Sequence, residues 1–289
     1  MENILAVITH WDDAEAVLAE AEKLGARFHT GLEVLVPVHD QLGELSKYLN
    51  LQDFSQLQAE IVAAERSRLE SLCAGKNHRL HVEWTTKVHA TIVEKAQSYG
   101  AGLIVMMASH DPVLSVLIHT PNDWHLFRDT PCPVLAMVKD RKACQQVIAA
   151  IDALDNQEPH QQLTARLLDN AAALAKAEGV PLKILSVVPD PALVYAGLAS
   201  APLSGDFLLD TLAIAEQKIQ ALIEHLGIKP QAIEVVTGRV EEVVSQRASQ
   251  DDALLVIGNA ANKGLKALLI GNTAERILRG MKTDMLVVN

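Results

Sequence analysis

The chain has 289 residues, 49% of them hydrophobic and 21% charged, with a formal net charge of -11 at pH 7. That length suits one large domain or two ordinary ones with buried cores, and the acidic balance, without a Lys/Arg run interleaved with aromatics, argues against direct nucleic-acid binding. Apolar runs such as AGLIVMMA at 101–108 are too short to span a bilayer, and Cys73, Cys132 and Cys144 lack metal-ligand spacing, which fits free thiols in a reducing, cytoplasmic setting.

In chain order, MENILAVITHWDD reads as a first strand and not as a signal peptide. The charged stretch AERSRLESL at 64–72 reads as the solvated face of a helix, LIVMMASH at 103–110 as a further strand, and PVLAMV at 133–138 as a last one. The short polar segment DRKACQ, 140–145, is the linker, after which the pattern starts again. NILAVITHWDDAE at 3–15 recurs as QVIAAIDALDNQE at 146–158, which places Ala6, Ile8, Asp12 and Glu15 on Ala149, Ile151, Asp155 and Glu158. LIVMMASH falls on LLVIGNAA at 254–261, and PVLAMV on DMLVVN at 284–289, so the second copy has gained eight residues between these landmarks.

In the second copy the strands are expected at 146–152, 181–188, 231–236, 253–258 and 284–288. Leu163, Leu167, Ala171 and Leu174 make one helical stripe, and Leu208, Leu212, Ala215, Ile219, Leu222 and Leu226 another. Gly179 and Gly227 stop these helices, each with a proline shortly after. Strand and helix in alternation predict parallel pairing, right-handed crossovers and helices on both faces. The expected architecture is therefore α/β: two tandem doubly wound domains, each with a five-stranded parallel sheet, over 1–139 and 146–289. An exposed apolar last strand is an aggregation hazard, so the two copies are expected to pair through these edges.

Ligands of such sheets sit at the carboxyl ends of strands where the winding reverses. In the second copy this points to Asp152, closing the first strand, and to VIGNAANKGLKALLIGNTAER at 256–276. Gly258 would let backbone approach a ligand, and Gly271 would permit an unusual turn. Asn272, Thr273, Ala274 and Glu275 resemble a capping box, whose free N–H groups suit an anion, with Lys263 and Lys266 adding positive charge. The spacing is not that of a Walker A loop, and a tight turn with a helix cap explains the same residues without a ligand.

The order strand–Asp152, VIGNAANKGLKALLIGNTAE, final LVV strand resembles the universal stress protein family over essentially the whole chain. TPNDWHLF at 120–127 followed by CPVL resembles in particular the tandem E-type members of proteobacteria, which pair a degenerate first domain with a second carrying a GNTAE-like turn. The resemblance implies a Rossmann-like fold of the adenine nucleotide α-hydrolase type and a role in survival under starvation and DNA-damaging stress. It implies ATP, with Mg, as the ligand of the second copy. Asp152 would lie near adenine and ribose and Val187 beside adenine, with Gly258, Ala261, Asn262, Gly271, Asn272 and Thr273 around the phosphates. The family's G-x2-G-x9-G-[ST] frame falls on Gly258, Ala261, Gly271 and Asn272, so two positions depart from it. Ala261 puts a methyl group where backbone meets phosphate, whereas Asn272 still caps a helix and can donate to oxygen.

In the first copy the same frame falls on Met107, His110, Thr120 and Pro121, with Thr9 in the place of Asp152. Thr120 and Pro121 still begin a helix, but Pro121 lacks an N–H and Asp123 supplies its own negative charge, so this anion site reads as closed. Nine of eleven histidines lie in the first 125 residues, yet without HExxH or CxxC they read as scattered surface residues, and no metal site is expected. No catalytic residue is assigned: a strand-end aspartate without a nucleophile or metal cluster is more often a polar binder. The apolar stretch 189–206 reads either as a lid or binding loop, with Val194, Tyr195 and Leu198 able to cover an adenine or an acyl chain, or as a partly disordered loop. The leading function is a nucleotide-binding sensor or adaptor in the stress response. Its rivals are slow ATP hydrolysis, a ligand-independent scaffold and binding of an amphiphilic small molecule, and homodimerisation of chains stays open.

Overall fold

Branched apolar runs become strands and the 3.6-residue stripes become helices in a computed structural model that describes residues 2–40, 51–108, 125–190, 205–259, 276–277 and 282–289. The chain divides into two units, Met1–Lys139 and Asp140–Asn289. In the first, the order is β1 (Ile4–Val7), a short 3-10 turn (Trp11–Asp13), α1 (Ala14–Phe28), β2 (Leu32–His39), α2 (Leu51–Leu72), β3 (Arg79–Thr85), α3 (Val88–Tyr99), β4 (Leu103–Met107), α4 (His125–Asp129) and β5 (Val134–Met137). In the second it is β6 (Gln146–Ile151), α5 (Glu158–Glu178), β7 (Leu182–Pro189), α6 (Gly205–Leu226), β8 (Ala232–Gly238), α7 (Val240–Gln250), β9 (Ala253–Gly258) and β10 (Met285–Val288).

Within the first unit the strands run in the order β3-β2-β1-β4-β5, and within the second β8-β7-β6-β9-β10. The neighbours are parallel in both. Right-handed crossovers then put the first two helices of each unit on one face of its sheet, and the reversal after the third strand sends the next helix to the other. In agreement, α5 touches α6, while α3 touches α4. The inner strands β1 and β4 are apolar along their whole length and buried at every residue, as a sheet covered on both faces requires, and β5 is buried throughout as well. The outer strands β3 and β8 are mostly half-buried.

The registers fix the internal repeat residue by residue. Ile4 lies opposite Leu32 and Leu103, and Val147 opposite Leu182 and Leu254. The first strands therefore correspond as in the sequence comparison, Ala6 to Ala149, but by the second strand the spacing has already grown. The growth lies in the first helix, which has 15 residues in α1 and 21 in α5. Both helices end on a left-handed residue, His29 at φ 54° and Gly179 at φ 73°, and their buried stripes match back from that end: Val17, Leu18, Ala21 and Leu24 against Leu167, Leu168, Ala171 and Leu174. The six additional residues stand at the N-terminal end of α5, above the carboxyl ends of the strands, and raise that helix by about 9 Å.

Candidate functional site

The reversal of winding between β6 and β9 opens a crevice at the strands' carboxyl ends, and the raised start of α5 forms one wall of it. A cavity of about 340 Å³ occupies this place, with Ile151 and Asp152 from the end of β6, Leu185 and Val187 from β7, Ile257 and Gly258 from β9, His160, Leu163 and Thr164 from α5, and Val240 and Val244 from α7. Three of the residues singled out in the sequence, Asp152, Val187 and Gly258, thus line one cavity although they come from three strands. A shallower hollow of about 550 Å³ adjoins it and shares Asp152, Val187 and Pro189, with Asn156 and Gln157 on its rim. Ala261, Asn262, Gly271, Asn272 and Thr273 lie outside the described residues, as do Lys263, Lys266, Val194, Tyr195 and Leu198 and, in the first copy, His110, Thr120, Pro121 and Asp123.

The turn after β6 is held by its own side chains. Asp152 Oδ1 accepts from the Leu154 N–H at 3.0 Å and the Asp155 N–H at 3.3 Å, the local pattern by which aspartate stabilises a turn. Asp152 is exposed, and with Oδ1 engaged, Oδ2 is the oxygen that can accept from a ligand hydroxyl. Asp155 Oδ1 accepts from the Gln157 N–H at 2.8 Å as the chain enters α5, and its Oδ2 contacts His160 Nδ1. Lys218 of α6 donates to Asn156 Oδ1 at 2.6 Å and ties the turn to the next helix.

Gly258 has a second physical reason to be glycine. A Cβ there would stand 3.0 Å from Leu163 Cδ2 and 3.2 Å from its Cγ, so the missing side chain makes room for the helix that walls the cavity. The opening residue of the glycine frame therefore serves strand–helix packing whatever the crevice holds.

The first unit carries other residues at the corresponding positions. Registers place Thr9 at Asp152, Pro37 at Val187 and Met107 at Gly258, and Met107 is buried. A thioether side chain thus stands where the second unit has a glycine. His160 and Thr164 were not found by sequence reasoning. The signal was present in the eight added residues, but only the registers show that most of them lie before β7, six of them in the longer α5 beside the crevice. Among the described residues there is no group of three His, Cys, Asp or Glu arranged to hold a metal ion, and no helix long and apolar enough to cross a membrane.

Two tandem doubly wound parallel sheets define an α/β protein of Rossmann-like fold, with a crevice at the switch point of the second. The chain belongs to the universal stress protein family, whose profile matches residues 1–139 and again 145–289, and so stands among the stress-response proteins. Universal stress protein E of Escherichia coli strain K12 is 26% identical over 309 aligned residues, which cover 99% of this chain and 93% of that protein. The crystal structure of a functionally unknown protein from Pseudomonas aeruginosa PAO1 matches with a TM-score of 0.70 at 26% identity, covering 100% of this chain and 92% of that one. A universal stress protein from Archaeoglobus fulgidus shares the fold, with a TM-score of 0.60 at 14% identity over 99% of this chain and 98% of that one.

Proposed function

We propose that the second unit binds an adenine nucleotide, ATP with Mg in the first instance, and that the chain acts in the cytoplasm as a sensor or adaptor in the stress response. The observation that carries this reading is the convergence of Asp152, Val187 and Gly258 on one cavity of about 340 Å³ at the switch point. The carboxylate of Asp152 suits ribose hydroxyls and the half-buried Val187 suits an adenine face, while 258–273 supplies the phosphate contacts, with Ala261 and Asn272 weakening them relative to glycine and serine. Calorimetric titration with ATP and Mg tests it. Saturable heat is expected, with affinity lowered about tenfold by Asp152→Ala, the loss of one charge-assisted hydrogen bond, and raised by Ala261→Gly with Asn272→Ser. No heat at millimolar ATP and an unchanged melting temperature would overturn the reading. Survival of a deletion strain after DNA damage, compared with a strain carrying Asp152→Ala, tests the physiological role.

A second reading, a scaffold that needs no ligand, is favoured by one observation. Gly258 is already explained by the space it leaves for Leu163, so its presence does not by itself require a phosphate.

A further inference from the structure

The face of α5 that borders the crevice at the switch point is made of His160, Leu163, Thr164 and Leu167, whose spacing of three and four residues puts them on one side of the helix. Leu163 is buried and packs against Gly258, the opening residue of the glycine frame. His160 stands about one turn nearer the start of the helix, in the part that rises above the carboxyl ends of the strands. The first unit has no helical residue at this height. Aligned from the left-handed ends of the two helices, Ala14, the first residue of α1, falls on Thr164.

The imidazole of His160 is held in place from behind. Asp155 Oδ1 accepts from the Gln157 N–H at 2.8 Å, which fixes the carboxylate, and Oδ2 contacts His160 Nδ1. Nε2 is then the ring nitrogen left to a ligand. The other walls of the crevice are apolar, with Val187 from β7, Ile257 from β9 and Val240 and Val244 from α7. Among the described residues that line it, His160 is the only basic one and Asp152 the only acidic one.

We infer that His160 is a phosphate-binding residue of the second unit, donating from Nε2 to a phosphate oxygen of the bound nucleotide, with Asp155 as the residue that positions it; the inference rests on the nucleotide reading above. A ligand with its ribose at Asp152 and its phosphates on the loop that begins at Gly258 runs past this turn of α5, because Asp152, His160 and Gly258 line one cavity. A phosphate oxygen beside Nε2 and a carboxylate beside Nδ1 together stabilise the imidazolium, whose two N–H groups donate one to each. The contact adds a donor to a frame in which Ala261 and Asn272 stand in two of the four positions.

Calorimetric titration of the full chain with ATP and Mg, and separately with adenosine, is the test. His160→Ala should weaken ATP binding about tenfold, the loss of one charge-assisted hydrogen bond, and leave adenosine binding and the melting temperature unchanged. Gln161→Ala, at the exposed next position of α5 and outside the lining of the crevice, should change neither. Undiminished ATP binding by His160→Ala, an equal loss for ATP and adenosine, or the same loss in Gln161→Ala would overturn the inference and leave the nucleotide reading standing. No heat from either ligand with the wild-type chain would overturn both.

Discussion

Gly258 shows how a single residue can carry two explanations at once. As the last residue of β9 it lies opposite Val288, lines the crevice, and leaves space for Leu163. Packing and binding separate on substitution. Gly258→Ala should cost about 1 kcal/mol of stability by overpacking against Leu163, measured by denaturant unfolding, and most of that loss should vanish in a Leu163→Val background. An equal cost in both backgrounds would locate the strain elsewhere. Cysteine chemistry is muted at this scale: Cys132 is buried, and burial pushes its thiol up to about 12.

At the scale of elements, the strands were legible in the sequence and the length of the first helix was not. The second unit's strands begin and end within about two residues of their expected limits because each is a short apolar run closed by polar or turn residues. The longer α5 escaped for a geometric reason. Between the first and second strands the repeat spacing grows by seven residues, about two helical turns, so the apolar stripe continues in phase and the insertion leaves no break in the pattern. Asp152 was legible as a strand-end residue, whereas His160 and Thr164 became visible only once that helix was placed. The outer strands of the two units also differ in charge. In the first, Glu33 of β2 meets His81 of β3 at 2.9 Å, with Lys95 of α3 3.3 Å from the other ring nitrogen. In the second, Lys183 of β7 and Arg247 of α7 grip Glu234 of β8, Arg247 at 2.8 Å. Burial alone would raise the Glu234 carboxyl, but the hydrogen bonds from Arg247 and Lys183 outweigh it and hold the group below its ordinary value. A carboxylate depressed in this way stabilises the fold above its unfolded-state pKa and loses that contribution as the pH falls through the folded value. Glu234→Gln should therefore cost about 1 kcal/mol at pH 7, and the difference from wild type should close below about pH 4. A cost that persists unchanged in acid would mean that the glutamate acts through packing alone.

At the scale of the whole molecule, one fold is used twice with different contents. The first unit fills its positions with side chains: Met107 stands at the strand end, and Trp11 is held on α2 by Glu65 and Arg68. The second unit has Gly258 and Leu154 at these two positions, and its raised α5 walls the crevice at the switch point. Duplication of a domain permits this division, because a copy that keeps only its packing role can exchange ligand-facing residues for apolar ones without loss of the sheet. The central claim, that the second unit alone takes the nucleotide, is tested most directly by methyl NMR of the full chain during titration with ATP and Mg. The expected result is saturable displacement of the Val187, Ile151 and Ile257 signals with those of Ile4, Val7 and Ile8 unmoved. Signals that stay fixed throughout at millimolar ATP, or that move in the first unit instead, would contradict it.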